Sequence, residues 1–233
     1  MLRGHKKYLI IELTCVLLLR WVSGLKKLIK TKNKKFIYLI SPDKINNKKF
    51  YNTLDKIFNL KKIEFFQLRL KSKNTKTITQ ISKKIKKICK KHKVKFLINN
   101  HPIIAKKIGA DGCHVGQNDM NAKKAKNILK NKIVGVTCHN SIKLVKKAIK
   151  NKADYIALGA FYSSKTKKVK FKANFNVLNS VKKFTKVPIV AIGGINSENY
   201  KKLLLNKADF LAISGFIWKN KNLKPIEAIR KLK

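Results

Sequence analysis

The sequence predicts an α/β fold, a (β/α)8 TIM barrel preceded by an N-terminal helical extension. From Phe36 onward, short β-rich apolar runs alternate with lysine-laced segments whose apolar residues have helical spacing. Eight such units in about 200 residues match the length of a small TIM barrel. A doubly wound open sheet is the alternative. That fold would normally carry a glycine-rich first turn, and Ser41-Pro42-Asp43-Lys44 is not one.

Each predicted strand is short and rich in β-branched or aromatic residues. The strands are Phe36–Ser41, Glu64–Arg69, Lys95–Asn99, Gly112–Val115, Ile133–Thr137, Tyr155–Gly159, Pro188–Gly193 and Phe210–Ser214. The helices between them are Lys48–Leu60, the apolar stripe Ile78–Ile88, Ile103–Ile108, Ala122–Leu129, Ser141–Lys150, Phe175–Phe184, Ser197–Leu205 and Pro225–Leu232.

An internal repeat supports this arrangement. Asn151–Leu158 matches Asn206–Ile213, and Gly109–Gly112 is a third, shorter copy. In each copy a helix ends, a small residue and an aspartate follow, and a strand begins. We therefore expect Asp111, Asp154 and Asp209 to lie at the amino-terminal face of the barrel as turn and cap residues, because that face is usually structural.

Residues 1–35 form a separate N-terminal extension, and residues 36–233 form the barrel domain. Tyr8–Val22 is the most apolar run, but it is shorter than the ~20 residues of a membrane span and contains Glu12 and Arg20. We expect an accessory helix followed by a linker and no membrane span. A signal peptide, or an upstream extension that is not part of the working protein, are the alternatives.

The chain is strongly basic, with 57 Lys and Arg against 10 Asp and Glu and a net charge of +47. Only four of these cations are arginine, the usual reader of base edges, and the lysines are spread along the chain. We therefore expect solvated faces rather than a specific nucleic-acid site. The charge should still attract small anionic substrates. The four scattered cysteines fit neither a disulfide scaffold nor a zinc site, which favours a reducing, cytoplasmic location.

Polar residues follow the second, third and fourth predicted strands, where barrel active sites are built. Gln67, Arg69 and Lys71 alternate to one side, and a retained arginine suggests bidentate binding of phosphate oxygens or else a structural ion pair. Asp119 is the first choice for a metal ligand, because one carboxylate plus substrate phosphates is a normal Mg²⁺ arrangement. Its alternative role is the N-cap of the next helix.

The later strands add a second group of polar residues. His139 could be an acid–base group or a hydrogen-bonding spacer, whereas His114, within a short strand, is interpreted as a core or bottom-facing residue. Paired glycines after the seventh strand and Ser214-Gly215 after the eighth match the phosphate site common in barrels. Together the two groups predict two anion sites at the same end of the barrel, without a nucleophile–base pair. This favours chemistry driven by leaving-group stabilisation.

Together these strings resemble the thiamine phosphate synthase family, and more particularly its alphaproteobacterial form. The resemblance runs from about Phe36 to Leu232. It rests on the segments Phe66–Lys71, Gly109–Asp119, Gly135–His139, Ser164–Lys167 and Val190–Ile195.

The resemblance implies a transferase of thiamine biosynthesis that joins an aminopyrimidine methyl diphosphate to a thiazole phosphate and releases diphosphate. It implies a dissociative, Mg²⁺-assisted reaction, with Asn100 and Asp119 at the metal and Arg69, Lys71 and Lys167 as the catalytic cations. The residues implied for the pyrimidine diphosphate are Gln67, Arg69, Lys71, Asn99, Thr137 and Lys167. Those implied for the thiazole phosphate are Ser164, Lys165, Thr166, Gly194, Ile213 and Ser214.

The sequence also departs from the family pattern. The family usually has Asn-Asp where this chain has Asn99-Asn100, so one negative charge is missing and Asp119 has to carry the carboxylate role alone. Weaker Mg²⁺ binding, or a metal held mostly through diphosphate, would follow. Ser163 and Ser164 stand where the family often has Pro and Thr, and Thr137 stands where Ser is usual.

Three other readings stay open. A thiazole tautomerase on the same barrel would use His139 as its acid–base group and would need no metal. Another phosphate-binding barrel of small-molecule metabolism is the second. A non-enzymatic polyanion binder is the third, and it predicts steep salt dependence. The expected partners are small phosphorylated molecules, and homo-oligomerisation is left open.

Overall fold

Eight parallel strands, each paired with the next and the last with the first, close into a barrel, as the alternation predicts. The computed structural model describes residues 35–45, 48–70, 74–163 and 172–233. The strands are β1 Ile37–Ile40, β2 Ile63–Leu68, β3 Lys95–Asn99, β4 Gly112–Val115, β5 Ile133–His139, β6 Tyr155–Gly159, β7 Ile189–Ile192 and β8 Phe210–Ile213.

The helices of the described residues lie between the strands. They are α1 Lys48–Asn59, α2 Thr75–Lys91, α3 Pro102–Ile108, α4 Ala122–Leu129, α5 Ile142–Lys150, α6 Asn176–Phe184, α7 Tyr200–Leu205, α8 Gly215–Trp218 and α9 Pro225–Arg230. Side-chain oxygens of Asn74, Asn121 and Ser141 accept a hydrogen bond from a first-turn amide of α2, α4 and α5, the usual role of these residue types. Only the one-turn α8 was not predicted.

Strand alternation divides the apolar residues into two cores. Outward residues such as Leu39, Phe66 and Ile98 pack against the helices. Inward residues fill the barrel, with Tyr38, Leu97 and others at its middle. The barrel interior is therefore a packed apolar core through its middle and a polar surface near the carboxyl ends of the strands. The inward residues of that polar surface include Gln67, Asn99, His114 and Thr137.

A chain of hydrogen bonds crosses the barrel interior between these two regions. The Tyr38 hydroxyl donates to Gln67 Oε1 at 2.9 Å and lies 2.7 Å from the Tyr155 hydroxyl. Gln67 Nε2 in turn donates to Asn99 Oδ1 at 2.6 Å. Both tyrosines are buried, so these bonds satisfy hydroxyls that would otherwise be costly to remove from water.

The series of hydrogen bonds continues from Tyr155 to the opposite side of the barrel. The Tyr155 hydroxyl lies 2.8 Å from His114 Nδ1, and His114 Nε2 lies 2.8 Å from Thr137 Oγ1. Gly135 makes room for the tyrosine, because a Cβ atom there would lie 1.8 Å from the Tyr155 ring. Burial, together with the positive charge of Arg69, lowers the pKa of His114 to about 4.

The three repeated aspartates lie at the amino-terminal face, as expected. Each carboxylate accepts the amide of a residue at the start of the preceding strand: Asp111 from Phe96, Asp154 from Val134 and Asp209 from Ile189, all at 2.7–2.8 Å. Each aspartate amide also donates to the carbonyl of that same residue. The aspartates therefore join neighbouring strands rather than cap helices. The repeated sequence encodes this same strand-to-strand contact in all three copies.

Several lysines serve the same end of the barrel. Lys86 donates to the carbonyl of Ile108 at 2.7 Å, and Lys132 donates to the carbonyl of Ala110 at 2.7 Å. These ammonium groups satisfy carbonyls at the last residue of α3 and in the turn that follows it, where intrahelical partners are missing. Part of the lysine excess is thus structural.

The predicted N-terminal extension covers residues 1–35, and all of it except Lys35 lies outside the described residues, so that assignment stays a prediction. Among the residues that the structure does describe, no helix is both long and apolar enough to cross a bilayer.

Replacing Asp111 by alanine should destabilise the barrel by about 1–3 kcal/mol, because the buried amide of Phe96 loses its acceptor. Asp111→Asn keeps an acceptor oxygen and should cost less than half as much. Urea unfolding of both variants measures the two losses. Equal losses would show that the charge, and not the hydrogen bond, is what matters.

His114 should make stability fall with acid between its two pKa values. The unfolded chain binds the proton near 6.5, whereas the folded chain binds it only near 4, so protonation favours unfolding in this window. Between pH 7 and pH 5 we expect the parent to lose about 2 kcal/mol more than His114→Gln. Urea unfolding at both pH values gives this double difference, which subtracts the other titrating groups. A double difference near zero would contradict a lowered pKa of His114 in the folded chain.

Candidate functional site

A cavity of about 860 Å³ opens at the carboxyl ends of the strands. Its lining includes most of the described residues that the sequence singled out. They are Gln67, Arg69, Asn99, Asn100, Asp119, Thr137, His139 and Ser214. Because the strands are parallel and closed into a barrel, residues that are far apart in sequence, such as Gln67 and Ser214, border one space.

Arg69, at the end of β2, is half-buried and forms an ion pair with Asp43. Its Nη1 lies 3.1 Å from Asp43 Oδ1, and Lys219 Nζ lies 3.4 Å from Asp43 Oδ2. The backbone of Arg69 is fixed as well, since its amide donates to Ser41 Oγ at 2.9 Å. The guanidinium has five N–H donors, and the contact with Asp43 Oδ1 engages one of its nitrogens, so the group can bind an anion from its cavity side.

Asp119 and Asn100 lie together beyond β3 and β4. Asp119 Oδ1 accepts from Asn100 Nδ2 at 2.8 Å, and Oδ2 accepts from the Gly116 amide at 2.8 Å. Asp119 is not the N-cap of α4, since Asn121 fills that position. The alternative reading of Asp119 as a helix cap is therefore wrong.

The donor set at this point suits a magnesium ion that is shared with a ligand. Asn100 turns its amide nitrogen to Asp119, which leaves its carbonyl oxygen for a cation. One carboxylate and one amide oxygen are too few for a cation held by protein alone but sufficient beside phosphate oxygens. The described residues hold no group of three or more His, Cys, Asp or Glu that could bind a metal.

The hydrogen bonds of the barrel interior have one direction, because each hydroxyl has a single proton. Tyr38 donates to Gln67, so Tyr155 must donate to Tyr38, and His114 Nδ1–H must then donate to Tyr155. Neutral His114 consequently accepts at Nε2, and Thr137 donates to it. Thr137 presents an oxygen acceptor to the cavity.

The direction of hydrogen-bond donation is also fixed at the Asn99 end of this series of hydrogen bonds. Asn99 Oδ1 accepts from Gln67, so Asn99 presents N–H donors to the cavity. His114 is buried, as expected, but it lines the cavity and does not face the bottom of the barrel. That part of the expectation is wrong, because His114 is inward on β4 one residue before its carboxyl end.

The predicted thiazole phosphate residues that the structure describes differ in how they reach the cavity. Ser214 lines the cavity and donates its hydroxyl to the Ser41 carbonyl at 3.2 Å. Of the paired glycines, Gly193 is among the lining residues. Gly194, at φ +63°, packs against the backbone of Tyr162 and Ser163. The side chain of Ile213 is buried in the outer core, so only its main chain can serve the cavity.

Five of the predicted site residues lie outside the described residues. They are Lys71, Ser164, Lys165, Thr166 and Lys167. Their assignments stay predictions.

The structure adds residues that the sequence analysis did not single out for the site. Tyr38 and Tyr155 are inward residues of β1 and β6, and strand alternation alone could have placed them there. Asp43 was counted among the few acids, but its contact with Arg69 depends on the path of the loop after β1. No spacing in the sequence encodes that contact.

Comparison with known proteins identifies the family of this chain. Residues 37–217 match the family model described as thiamine monophosphate synthase. A thiamine-phosphate synthase of Pelagibacter ubique is 66% identical over 201 residues, covering 86% of this chain and 97% of the relative. A thiamine-phosphate synthase of Rhodospirillum centenum is 36% identical over 183 residues, covering 78% of this chain and 88% of the relative.

A solved structure supports the fold independently. The thiamine phosphate pyrophosphorylase from Pyrococcus furiosus superposes with a TM-score of 0.75 at 23% identity, covering 87% of this chain and 95% of that chain. The family resemblance predicted from the motifs is confirmed by the family model and by the two relatives named above. The chain belongs to the thiamine monophosphate synthase family.

Proposed function

We propose that this chain condenses an aminopyrimidine methyl diphosphate with a thiazole phosphate, giving thiamine phosphate and diphosphate. The observation that carries the proposal is the composition of the cavity. It has a cationic and carboxylate side at β2–β4 and a glycine–serine side at β7–β8. Two phosphorylated substrates need two such anion subsites that open into one space.

Arg69 would hold the diphosphate, with Gln67, Asn99 and Thr137 beneath it on the same substrate. The directed hydrogen bonds support this arrangement, since Asn99 turns N–H donors toward the cavity. Lys71 and Lys167 are proposed as further diphosphate ligands from the sequence pattern alone. On the opposite side, the thiazole phosphate would meet Ser214 and the main chain near Gly194 and Ile213, with Ser164, Lys165 and Thr166 from the preceding loop.

The cofactor proposed is Mg²⁺, held by Asp119 and the carbonyl oxygen of Asn100 together with the diphosphate. When bound, it would neutralise charge on the departing diphosphate. The mutual hydrogen bond of Asn100 and Asp119 supports this pair as one preformed unit.

The chemistry proposed for these residues is stabilisation of a leaving group. The bond between the pyrimidine methylene carbon and the diphosphate oxygen breaks, and its electron pair leaves with diphosphate. The thiazole nitrogen then gives its lone pair to the carbon. Arg69 would stabilise the charge that develops on the diphosphate oxygens, and the apolar walls at Val190 and Ile192 would limit water around the cation.

The tautomerase alternative keeps one feature, since His139 lines the same cavity. The relatives named above carry the synthase name, so the synthase is the function proposed. A cytoplasmic location and small phosphorylated partners follow from it and stay predictions.

Asp119→Asn should raise the Mg²⁺ concentration for half-maximal synthesis at least about tenfold, because the carboxylate charge is lost and the one amide oxygen cannot replace both acceptors of Asn100 and Gly116. Thiamine phosphate formed from the two substrates is followed by its fluorescence after oxidation. Asp55→Asn is the matched control, since Asp55 pairs with Lys91 on the outer helices. A parent that forms no product at any Mg²⁺ concentration would overturn the proposed function.

Asn100→Asp should have the opposite effect. A second carboxylate adds charge for the cation, so we expect the half-maximal Mg²⁺ concentration to fall about tenfold, worth about 1.4 kcal/mol of binding. Without metal, two carboxylates would repel at the distance where Asn100 now donates to Asp119. Mg²⁺ should therefore raise the unfolding midpoint more in Asn100→Asp than in the parent. Equal Mg²⁺ responses would contradict the metal assignment.

A further inference from the structure

We propose that Asp43 is a positioning residue that orients Arg69 for the reaction. The inference rests on the proposed function, in which Arg69 binds the diphosphate. Asp43 belongs to none of the predicted subsites, and its carboxylate would repel an anionic substrate if it acted alone. Any favourable effect of Asp43 on the reaction must therefore act through the cations that it contacts.

The first step is the geometry of the loop after β1. In the closed barrel β1 lies between β2 and β8. The segment Ser41–Asp43 consequently contacts the ends of both neighbouring strands. On one side, Ser41 Oγ accepts from the Arg69 amide at 2.9 Å and Asp43 Oδ1 lies 3.1 Å from Arg69 Nη1. Backbone and side chain of Arg69 are thus both held by this segment.

The second step is the contact on the other side. Ser214 donates to the Ser41 carbonyl at 3.2 Å, and Lys219 Nζ lies 3.4 Å from Asp43 Oδ2. The same three residues therefore touch one member of each proposed anion subsite. Asp43 joins the β2 and β8 sides through its two carboxylate oxygens, which fixes where Arg69 stands relative to the thiazole side.

The third step is the partial exposure of the pair. The Arg69 side chain is 31% exposed and Asp43 is 23% exposed. A pair with this exposure adds little to stability, so its contribution should be seen in orientation. A guanidinium has a planar fork whose direction matters, whereas a lysine ammonium acts as a point charge. Orientation by Asp43 should consequently matter for Arg69 and not for a lysine at the same position.

The test is a double-mutant cycle on steady-state synthesis. Asp43→Ala should lower kcat at least about tenfold without raising the KM for the pyrimidine diphosphate, because orientation is lost while a repelling charge is removed. In an Arg69→Lys background the same change should alter kcat less than about twofold. Asp55→Ala is the matched control, since it also removes an acid paired with a lysine.

A second readout does not depend on synthesis. The chain has only four arginines, so its arginine Nε–H NMR spectrum is simple, and Arg69→Lys identifies the Arg69 signal. We expect that signal to report a restrained side chain in the parent and a freely rotating one in Asp43→Ala. Calorimetry with inorganic diphosphate should show that Asp43→Ala binds diphosphate as tightly as the parent or more tightly. The urea unfolding midpoints of the two proteins should be equal.

The outcomes separate the two proposals. Independent effects of the two substitutions on kcat, or an Arg69 signal unchanged by Asp43→Ala, would overturn the positioning role. A parent without synthase activity would overturn the proposed function alone, because the Arg69 signal would still decide whether Asp43 restrains the guanidinium.

Discussion

Closure of the barrel is the constraint on which the site depends. Once eight parallel strands pair in a ring, each strand has one set of residues that must face the axis and one that must face the helices. A shift of one residue in any strand would exchange the two sets. The inward set is apolar through the middle of the barrel and polar near the carboxyl ends, so the fold itself brings the polar residues together.

This constraint explains what the sequence could predict. Alternation with a period of two identified Gln67 and Arg69 on one side of a strand, and the rarity of arginine marked Arg69. The strand bounds were predicted closely because short apolar runs between lysine-rich helices have clear ends. Asp119 was identified from its position after a strand, and Asn100 from its place beside Asn99 and from the family resemblance.

What escaped prediction depends on side-chain direction and loop path. Tyr38 and Tyr155 are apolar in most of their surface, so they resembled core residues, and only the geometry shows their hydroxyls meeting at 2.7 Å. Of the two positions predicted for His114, the core position is confirmed and the bottom-facing one is wrong, because a four-residue strand gives few positions to fix the direction. The contact of Asp43 with Arg69 crosses between two loops, which no local pattern can specify.

The buried hydrogen bonds also give the cavity floor a polarity. With one proton per hydroxyl, Asn99 presents N–H groups only while Thr137 presents an acceptor, and exchanging the two requires every link between them to reverse. The floor therefore does not offer two separate contacts. It is complementary to an ordered pair of ligand groups, a hydrogen-bond acceptor above β3 and a donor above β5. A ligand in the reverse orientation would place a donor against the Asn99 N–H groups and an acceptor against the Thr137 oxygen.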